Sequence, residues 1–269
     1  MIKINGKQFV YSHFPDGTLL MKQEPPMEET ATITWLFENN EELIVLYFLN
    51  SHLKAHGVSR ITLEMPYIPN ARQDRVKRTE DVFSLKYFTQ MINATAFCKV
   101  RVLDPHSYVS EALIDHLEII TPEEYVRRAI AEICANEGID EEDVMLFYPD
   151  EGAMKRYTAM FEKPYAFGIK QRDWVTGEIK GLEVAGQTKR LNQSTILIVD
   201  DICSKGGTFY YSAKKLQEMG AKNIYLFVSH CENTILDGEL LNCGLVKKVY
   251  TTNSIFTKSH EKVEVLDYE

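Results

Sequence analysis

The sequence predicts two tandem α/β units, each with a mostly parallel sheet flanked by helices. Runs of strand type alternate with runs of helix type along both halves of the 269 residues. Such alternation requires crossover connections, which make neighbouring strands parallel and cover a sheet on both faces. With 45% hydrophobic side chains, the chain is able to bury one large core or two modest ones. We expect the units to span residues 1–120 and 121–269.

A short antiparallel ribbon is expected to open the first unit. The dipeptide Asn5-Gly6 tolerates positive φ and suits a tight hairpin between two short apolar runs. The patterns that follow predict strands at 32–37, 61–66 and 99–103. Each is followed by a predicted helix, at 41–55, 81–92 and 109–117 respectively.

The second unit is expected to begin with a well-marked helix. Thr121 suits the N-cap, Pro122 the first helical position, and Glu124 completes a capping box, while Gly138 follows the last turn. Between later strands, residues 170–192 are polar and have little periodicity, which predicts a long loop that serves as an active-site lid. The predicted strands lie at 144–148, 165–169, 195–199, 224–228 and 248–252.

Composition and charge disfavour several classes of function. No apolar stretch approaches the length of a bilayer span, and residues 1–10 lack a signal-peptide core, so we expect a cytoplasmic protein. Five cysteines without a CxxC pair are typical of reduced thiols. The net charge of −9 disfavours nucleic acid and anionic membranes as partners, because its field repels phosphate polymers. A small anion is a suitable ligand where Lys, Arg and Mg²⁺ offset this field.

The segment ILIVDDICSKGGTF, residues 196–209, is the most informative part of the sequence. An apolar strand is expected to end in Asp200 and Asp201, and a helix to begin at about Gly207 after a short loop. Ligands bind at the carboxyl ends of parallel strands, and a glycine-rich loop before a helix brings backbone N–H groups to a phosphate. The acids can accept hydrogen bonds from sugar hydroxyls. The predicted ribose-phosphate site comprises Asp200, Asp201, Ser204, Lys205, Gly206, Gly207 and Thr208.

This segment resembles the phosphoribosyl-pyrophosphate binding signature of type I phosphoribosyltransferases and of ribose-phosphate diphosphokinases, the phosphoribosyl pyrophosphate synthetases. The resemblance implies a type I phosphoribosyltransferase-like fold for each unit. Two further segments, MPYIPNARQDR (65–75) and LDPHS (103–107), resemble the parts of the diphosphokinases that bind Mg²⁺ and ATP. The matching motifs run in the family's order from about Phe14 to Asn253.

The resemblance implies an ATP site in the first unit. Arg72 and Arg75 are expected to hold triphosphate oxygens in bidentate fashion, and Gln73 to satisfy polar edges of the nucleotide. The segment HFPDGT resembles a hairpin that family members lend to the ATP site of a neighbouring subunit, where Phe14 would stack on adenine and Asp16 make a polar contact. Taken alone, Pro-Asp-Gly is a common turn sequence.

Three residues are implied as metal ligands. Asp104 and His106 stand two apart at a strand end and are expected to project to one side, with Pro105 favouring an extended Asp104. His106 is also implied to be catalytic. In FYPDEGAMKR (147–156), Asp150 matches the acid that serves metal and acceptor ribose in the family.

The segment FGIKQR, residues 167–172, matches the family's catalytic lysine and arginine. Lys170 and Arg172 are therefore expected to neutralise charge on the transferred β-phosphoryl group. Without the resemblance they would be two surface cations.

The phosphate loop departs from the family, whose members usually read DTGGT. Ser204 replaces an Asp and Lys205 replaces a Thr, which removes one negative charge and adds one positive charge. Ribose 5-phosphate is the default acceptor, and ADP-ribose, which carries a diphosphate, is the alternative. The products would be phosphoribosyl pyrophosphate or ADP-ribose 1-pyrophosphate, the latter for NAD synthesis.

The predicted reaction moves the β,γ-diphosphate of ATP to the anomeric 1-hydroxyl of the acceptor, releases AMP and requires Mg²⁺. Two other functions remain open: a phosphoribosyltransferase that attaches a base, and a catalytically silent partner that regulates a synthetase. The chain ends soon after Asp267 without the final helix of longer family members, so a homodimer is expected, with a higher homo-oligomer as the alternative. The acceptor and any allosteric regulation are left open by the sequence.

Overall fold

The chain divides into two compact units, Met1–Thr121 and Pro122–Glu269. The computed structural model describes residues 1–172 and 179–268, without the side chains of residues 170–172 and 179–181. Across these ranges, no helix has both the length and the apolar character needed to span a bilayer.

The first unit contains a six-stranded sheet. Its elements are β1 (Ile2–Ile4), β2 (Lys7–Phe9), β3 (Ser12–His13), β4 (Leu19–Leu20), β5 (Thr30–Trp35), α1 (Glu42–Ala55), β6 (Arg60–Glu64), α2 (Ser84–Ala94), β7 (Lys99–Leu103), α3 (Tyr108–Leu113) and β8 (Leu117–Ile120). The sheet order is β2-β1-β5-β6-β7-β8, in which β5 to β8 are parallel and the predicted β1–β2 hairpin is antiparallel. Strands β3 and β4 form a separate ribbon.

The first sheet buries an apolar layer on one face only. Side chains alternate along β5, so that Ile33 lies in the core while Thr34 is half-buried on the other face. On that second face, Arg101 forms ion pairs with Glu64 at 2.7 Å and with Glu118 at 3.0 Å, its neighbours on β6 and β8. This second face is polar, as the period of two in the strand sequence indicates.

The second unit contains a seven-stranded sheet in the order β11-β10-β9-β12-β13-β14-β15. Only the β10–β11 pair is antiparallel among these neighbours. Ile196 and Leu197 of the central strand belong to different core clusters, so both faces are buried as expected. The elements are α4 (Glu123–Glu137), β9 (Val144–Tyr148), α5 (Glu151–Tyr157), β10 (Tyr165–Arg172), β11 (Ile179–Gly186), β12 (Thr195–Cys203), α6 (Gly207–Glu218), β13 (Asn223–Cys231), β14 (Val249–Thr252) and β15 (Val263–Leu266).

Several boundaries differ from the expectations. The helix predicted to reach residue 117 ends at Leu113, because the Asn93 amide donates to the Leu113 carbonyl at 2.9 Å and accepts from the Asp115 N–H at 3.1 Å. Thr121 does not cap α4, whose N-cap is Pro122 without a side-chain hydrogen bond. Strands β8, β11 and β15 were not predicted, and β11 lies within the stretch expected to be a structureless loop.

Candidate active site

Asp200 and Asp201 lie within β12, and not beyond its end as expected. The strand continues to Cys203 because β13 pairs with it as far as Cys203 and Cys231. Asp201 is 4% exposed and Asp200 is half-buried. The two acids are therefore fixed to the ladder of a central strand.

Arg156 of α5 binds the buried acid. Its Nη1 lies 3.1 Å from Asp201 Oδ2, and the side chains are 22% and 6% exposed. The guanidinium also lies over the Tyr157 ring, 5.5 Å from its centroid. Arg156 compensates the negative charge of Asp201, which would otherwise be buried at high cost.

Asp150 sits at the start of the same helix. Its Oδ1 accepts a hydrogen bond from the Ala153 N–H at 3.1 Å, so it is the N-cap of α5. The cap orients this carboxylate at the carboxyl end of β9, beside β12 in the sheet. One oxygen of the predicted metal ligand thus also has a structural role.

The three acids influence one another. Burial raises the pKa of Asp200 well above its usual value, and repulsion by Asp201 and by Asp150 acts in the same direction. A bound cation would relieve this repulsion. Carboxylates are the kind of ligand that suits Mg²⁺, which typically takes one or two of them together with phosphate oxygens and waters.

Replacing Asp200 by asparagine is expected to raise the free energy of unfolding by on the order of 1 kcal/mol at pH 8. The folded pKa lies above the unfolded value of 3.8, so the folded wild type loses stability as pH rises from 3.8 to the folded pKa and does not regain it at higher pH. The gain should disappear below pH 3.8, where the carboxyl is protonated in both states. Urea unfolding at both pH values measures it, with the exposed Asp237→Asn as control. Equal stability of Asp200→Asn and wild type at pH 8 would contradict this account.

The predicted phosphate loop, Ser204 to Thr208, connects β12 to α6. The helix begins at Gly207, as predicted, after Gly206 in the left-handed region at φ +81°. A Cβ at Gly207 would meet no atom within 4 Å, and the Lys205 and Thr208 side chains are exposed. The first turn of a helix leaves backbone N–H groups without intrahelical partners. The loop therefore presents donors on an open side.

In the first unit, the ARQDR segment is organised by Asp74, a residue that sequence analysis did not single out. Asp74 is buried and accepts hydrogen bonds from Arg75 Nε at 2.6 Å and Nη2 at 2.7 Å. These bonds hold the pKa of Asp74 below its usual value against the effect of burial, and the Ser107 hydroxyl and His106 act in the same direction. Asp74 thus links the two segments assigned to ATP.

This pairing limits the predicted role of Arg75. Its side chain is 62% exposed, but the edge formed by Nε and Nη2 faces Asp74. A phosphate would therefore have to accept its hydrogen bonds from the Nη1 side of the Arg75 guanidinium. Arg72 is exposed, and Gln73 Oε1 accepts a hydrogen bond from Ser84 Oγ at 2.5 Å, which ties the segment to the start of α2.

Asp104 does not have the extended conformation that was expected before Pro105. Asp104 is 2% exposed and has φ +43°, whereas His106 is half-buried. The left-handed region is more accessible to Asp than to most residues, and the Asp104 N–H donates to the Ile120 carbonyl at 3.0 Å. Pairing with β8 therefore accompanies a left-handed Asp104 in place of the extended conformation expected before Pro105.

Nowhere in residues 1–172 and 179–268 do three His, Cys, Asp or Glu side chains form a metal-binding group.

Phe14 and Asp16 lie in the turn of the β3–β4 ribbon. The Phe14 ring is 48% exposed. Asp16 Oδ1 accepts hydrogen bonds from the Thr18 N–H at 3.0 Å and hydroxyl at 2.7 Å, which hold the pKa of Asp16 below its usual value. His13 connects this ribbon to Glu41, before α1, at 3.0 Å.

Lys170 and Arg172 belong to β10, and their side chains lie outside the described part of the structure. Of the predicted lid, residues 173–178 also lie outside it. Its flanks are β10 and β11, which pair from Ala166 and Gly186 to Arg172 and Ile179. The expectation of a structureless stretch is therefore wrong for these flanks.

Comparison with known proteins extends these observations. No family model matches the chain. The ribose-phosphate pyrophosphokinase of Sulfolobus acidocaldarius is 27% identical over 277 residues, covering 99% of this chain and 89% of the relative. The ribose-phosphate pyrophosphokinase of Bacillus subtilis is 28% identical over 236 residues, which cover 84% of this chain and 69% of that relative. The chain is a relative of the ribose-phosphate pyrophosphokinases. This confirms the predicted family resemblance and the prediction of an enzyme of the ribose-phosphate diphosphokinase type.

The fold is similar to that of a ribose-phosphate pyrophosphokinase of known structure. The crystal structure of phosphoribosylpyrophosphate synthetase from Mycobacterium smegmatis matches with a TM-score of 0.76 at 21% identity, covering 97% of this chain and 86% of that one. The predicted fold class, two phosphoribosyltransferase-like units with mostly parallel sheets, is confirmed.

Within each unit, the structure brings several of the predicted residues together. Asp150 and Asp201 are both close enough to Asp200 to raise its pKa, and Arg75 and His106 both act on Asp74. Sequence reasoning missed Arg156 and Asp74, although both lie in segments that resemble ribose-phosphate pyrophosphokinases. For Asp74 the signal was the adjacent Arg75, whereas Arg156 offered none because its partner Asp201 is distant in the chain.

Proposed function

We propose that the chain transfers the β,γ-diphosphate of ATP to the anomeric hydroxyl of a ribose 5-phosphoryl acceptor and releases AMP. The observation that carries this proposal is the succession of a buried acid pair, an open glycine loop and a helix N-terminus in residues 200–208, in a chain related to ribose-phosphate pyrophosphokinases throughout. The loop suits a phosphate, and the acids suit the sugar hydroxyls. Ribose 5-phosphate is the acceptor that the relatives' name supports.

The proposed roles of the first unit concern the nucleotide. Arg72 and the Nη1 side of Arg75 bind triphosphate oxygens, and Gln73 contacts the nucleotide. Asp74 holds Arg75 in place through its two hydrogen bonds. The exposed Phe14 ring is proposed to stack on adenine, with Asp16 nearby in the same turn.

The reaction forms a bond between the acceptor 1-oxygen and the β-phosphorus. The bond from that phosphorus to the bridging oxygen breaks, its electron pair leaves with AMP, and the hydroxyl proton passes to solvent. Asp150 and Asp200 of the second unit would hold Mg²⁺, and His106 of the first unit would serve as a ligand for an ion bound with the nucleotide; such an ion would supply positive charge to the diphosphate. Asp201 orients the sugar, and Lys170 and Arg172 neutralise the moving charge.

The test is acceptor-dependent formation of AMP. The full chain is incubated with Mg²⁺, ATP and either ribose 5-phosphate or ADP-ribose, and AMP is followed with time. AMP that appears only with an acceptor supports the proposal. If no AMP forms with either acceptor, the proposal is contradicted, and the alternative of a catalytically silent regulatory partner is favoured. Nucleotide formation from a base and phosphoribosyl pyrophosphate without ATP would identify a phosphoribosyltransferase instead.

A specific feature favours ADP-ribose as a second candidate acceptor. Lys205 is exposed beside Gly206, the N-cap of α6, so its ammonium group is accessible to an anionic ligand. Ser204 also removes the acid found at this place in the family. Charge-assisted contacts with a diphosphate exceed those available with a monophosphate.

Replacing Lys205 by threonine, the residue usual in the family, should therefore change acceptor preference. We expect the KM for ADP-ribose to rise about tenfold, equivalent to about 1.4 kcal/mol, and the KM for ribose 5-phosphate to change less than about twofold. Initial-rate measurements with both acceptors decide this. Lys214→Thr, at an exposed position of α6, is the charge-matched control. An equal rise for both acceptors would mean that Lys205 contacts the shared 5-phosphoryl group.

A further inference from the structure

The phosphate loop is packed tightly from behind by residues 232–240, which we call the rear segment. A Cβ on Gly238 would lie 2.9 Å from the carbonyl carbon of Lys205 and closer still to its oxygen. Gly238 has φ −96° and ψ 172°, an extended conformation that any residue adopts. Space, and not backbone geometry, therefore requires glycine here.

A second contact of the same kind lies one residue further along the loop. A Cβ on Gly206 would lie 2.9 Å from Leu240 Cβ and Cδ2, and Leu240 is fully buried. On the other side of the loop, Gly207 faces open space. The loop is thus closed at its rear and open at its front.

The rear segment is itself anchored near its start. The Glu232 N–H donates to the Cys203 carbonyl at 2.8 Å, which continues the pairing of β12 and β13. The Asn233 side chain donates to Thr257 Oγ1 at 2.9 Å and accepts from the Thr257 N–H at 3.0 Å. These bonds make the segment a fixed surface against which the loop rests.

The planarity of the peptide unit connects this packing to binding. The Lys205 carbonyl and the Gly206 N–H belong to one trans peptide, so they point in opposite directions. Because the carbonyl is directed at Gly238, the Gly206 N–H is directed away from the rear segment. The contact at Gly238 thereby fixes the direction of a donor next to the first turn of α6.

We infer that Gly238 is a positioning residue that sets the orientation of the phosphate loop and so the affinity for the acceptor's phosphoryl group. This inference rests on the function proposed above. A larger side chain at position 238 would push the Lys205 carbonyl forward and rotate the Gly206 N–H. Binding of phosphate by a preorganised loop would be weakened, while residues assigned to ATP lie in another part of the chain.

The experiment compares equilibrium binding of ribose 5-phosphate and of ATP to the full chain and to Gly238→Ala. We expect the dissociation constant for ribose 5-phosphate to rise about tenfold or more. We also expect ATP binding to change less than about twofold and the unfolding midpoint to fall by no more than about 4 °C. Glu239→Ala, the exposed neighbour, is the control and should bind both ligands like wild type.

Other outcomes overturn the inference. Unchanged binding of ribose 5-phosphate to Gly238→Ala would show that the contact does not orient the loop. Equal weakening of both ligands with a large loss of stability would show a purely structural role. If Gly238→Ala does not fold, Asn233→Ala loosens the rear segment without a clash, and unchanged ribose 5-phosphate affinity in that variant overturns the inference. A wild type that binds ATP but no ribose 5-phosphate would instead remove the proposed acceptor, and the inference with it.

Discussion

Replacing Lys170 by alanine should lower kcat for diphosphoryl transfer about 1000-fold and leave the dissociation constant for ATP within about threefold of wild type. The transferred group carries charge that increases in the transition state, and a cation aimed at it contributes more there than in the ground state. Turnover is measured as AMP formation at saturating substrates, and ATP affinity by equilibrium titration.

Two controls sharpen this expectation. Lys189→Ala removes an exposed cation from the same unit and should not alter kcat. Lys170→Arg keeps the charge in a different geometry, so its kcat should lie between those of wild type and Lys170→Ala. Unchanged turnover in Lys170→Ala would remove Lys170 from the mechanism, and a parallel loss of ATP affinity would reassign it to ground-state binding.

Replacing Arg156 by leucine should lower the free energy of unfolding by about 3 kcal/mol, because Asp201 would be left as a buried charge without its partner. This value is at the lower end for a buried ion pair, since Arg156 is still 22% exposed. Affinity for ribose 5-phosphate should fall as well, because Asp201 would turn towards water or become protonated. Urea unfolding and equilibrium binding measure the two effects.

A double-mutant cycle separates the ion pair from packing. In Arg156→Leu, the further change Asp201→Asn removes the unpaired charge and should restore part of the lost stability. Arg156→Lys retains the charge and should be less destabilising than Arg156→Leu. If Arg156→Leu were as stable as wild type, the 3.1 Å contact would contribute nothing to the fold.

Features that depend on nearby residues were predictable from the sequence. The left-handed Gly138 at the end of α4 and the start of α6 at Gly207 follow from local backbone preferences. The buried parallel sheet of the second unit follows from continuous apolar runs such as 195–199. The succession of strand, acid pair, glycine loop and helix in residues 196–209 was predictable for the same reason, because its parts are contiguous in the chain.

Features that depend on distant residues were not predictable. The extension of β12 to Cys203 is set by its ladder with β13, and sequence patterns place strand ends poorly when the partner decides them. The ion pair of Arg156 with Asp201 joins residues 45 positions apart. The left-handed Asp104 arises from pairing with β8, a strand too short to show in the pattern.

The placement of Asp200 and Asp201 inside β12 has a thermodynamic consequence for ligand capture. Their backbone is restrained by the ladder with β13, and Asp201 by its guanidinium partner as well. Fixing the backbone of one residue costs about 1–2 kcal/mol, and this entropy is already lost when the sheet forms. If these acids bind the acceptor as proposed, the pentose meets carboxylates whose main chain is already held in place before it arrives.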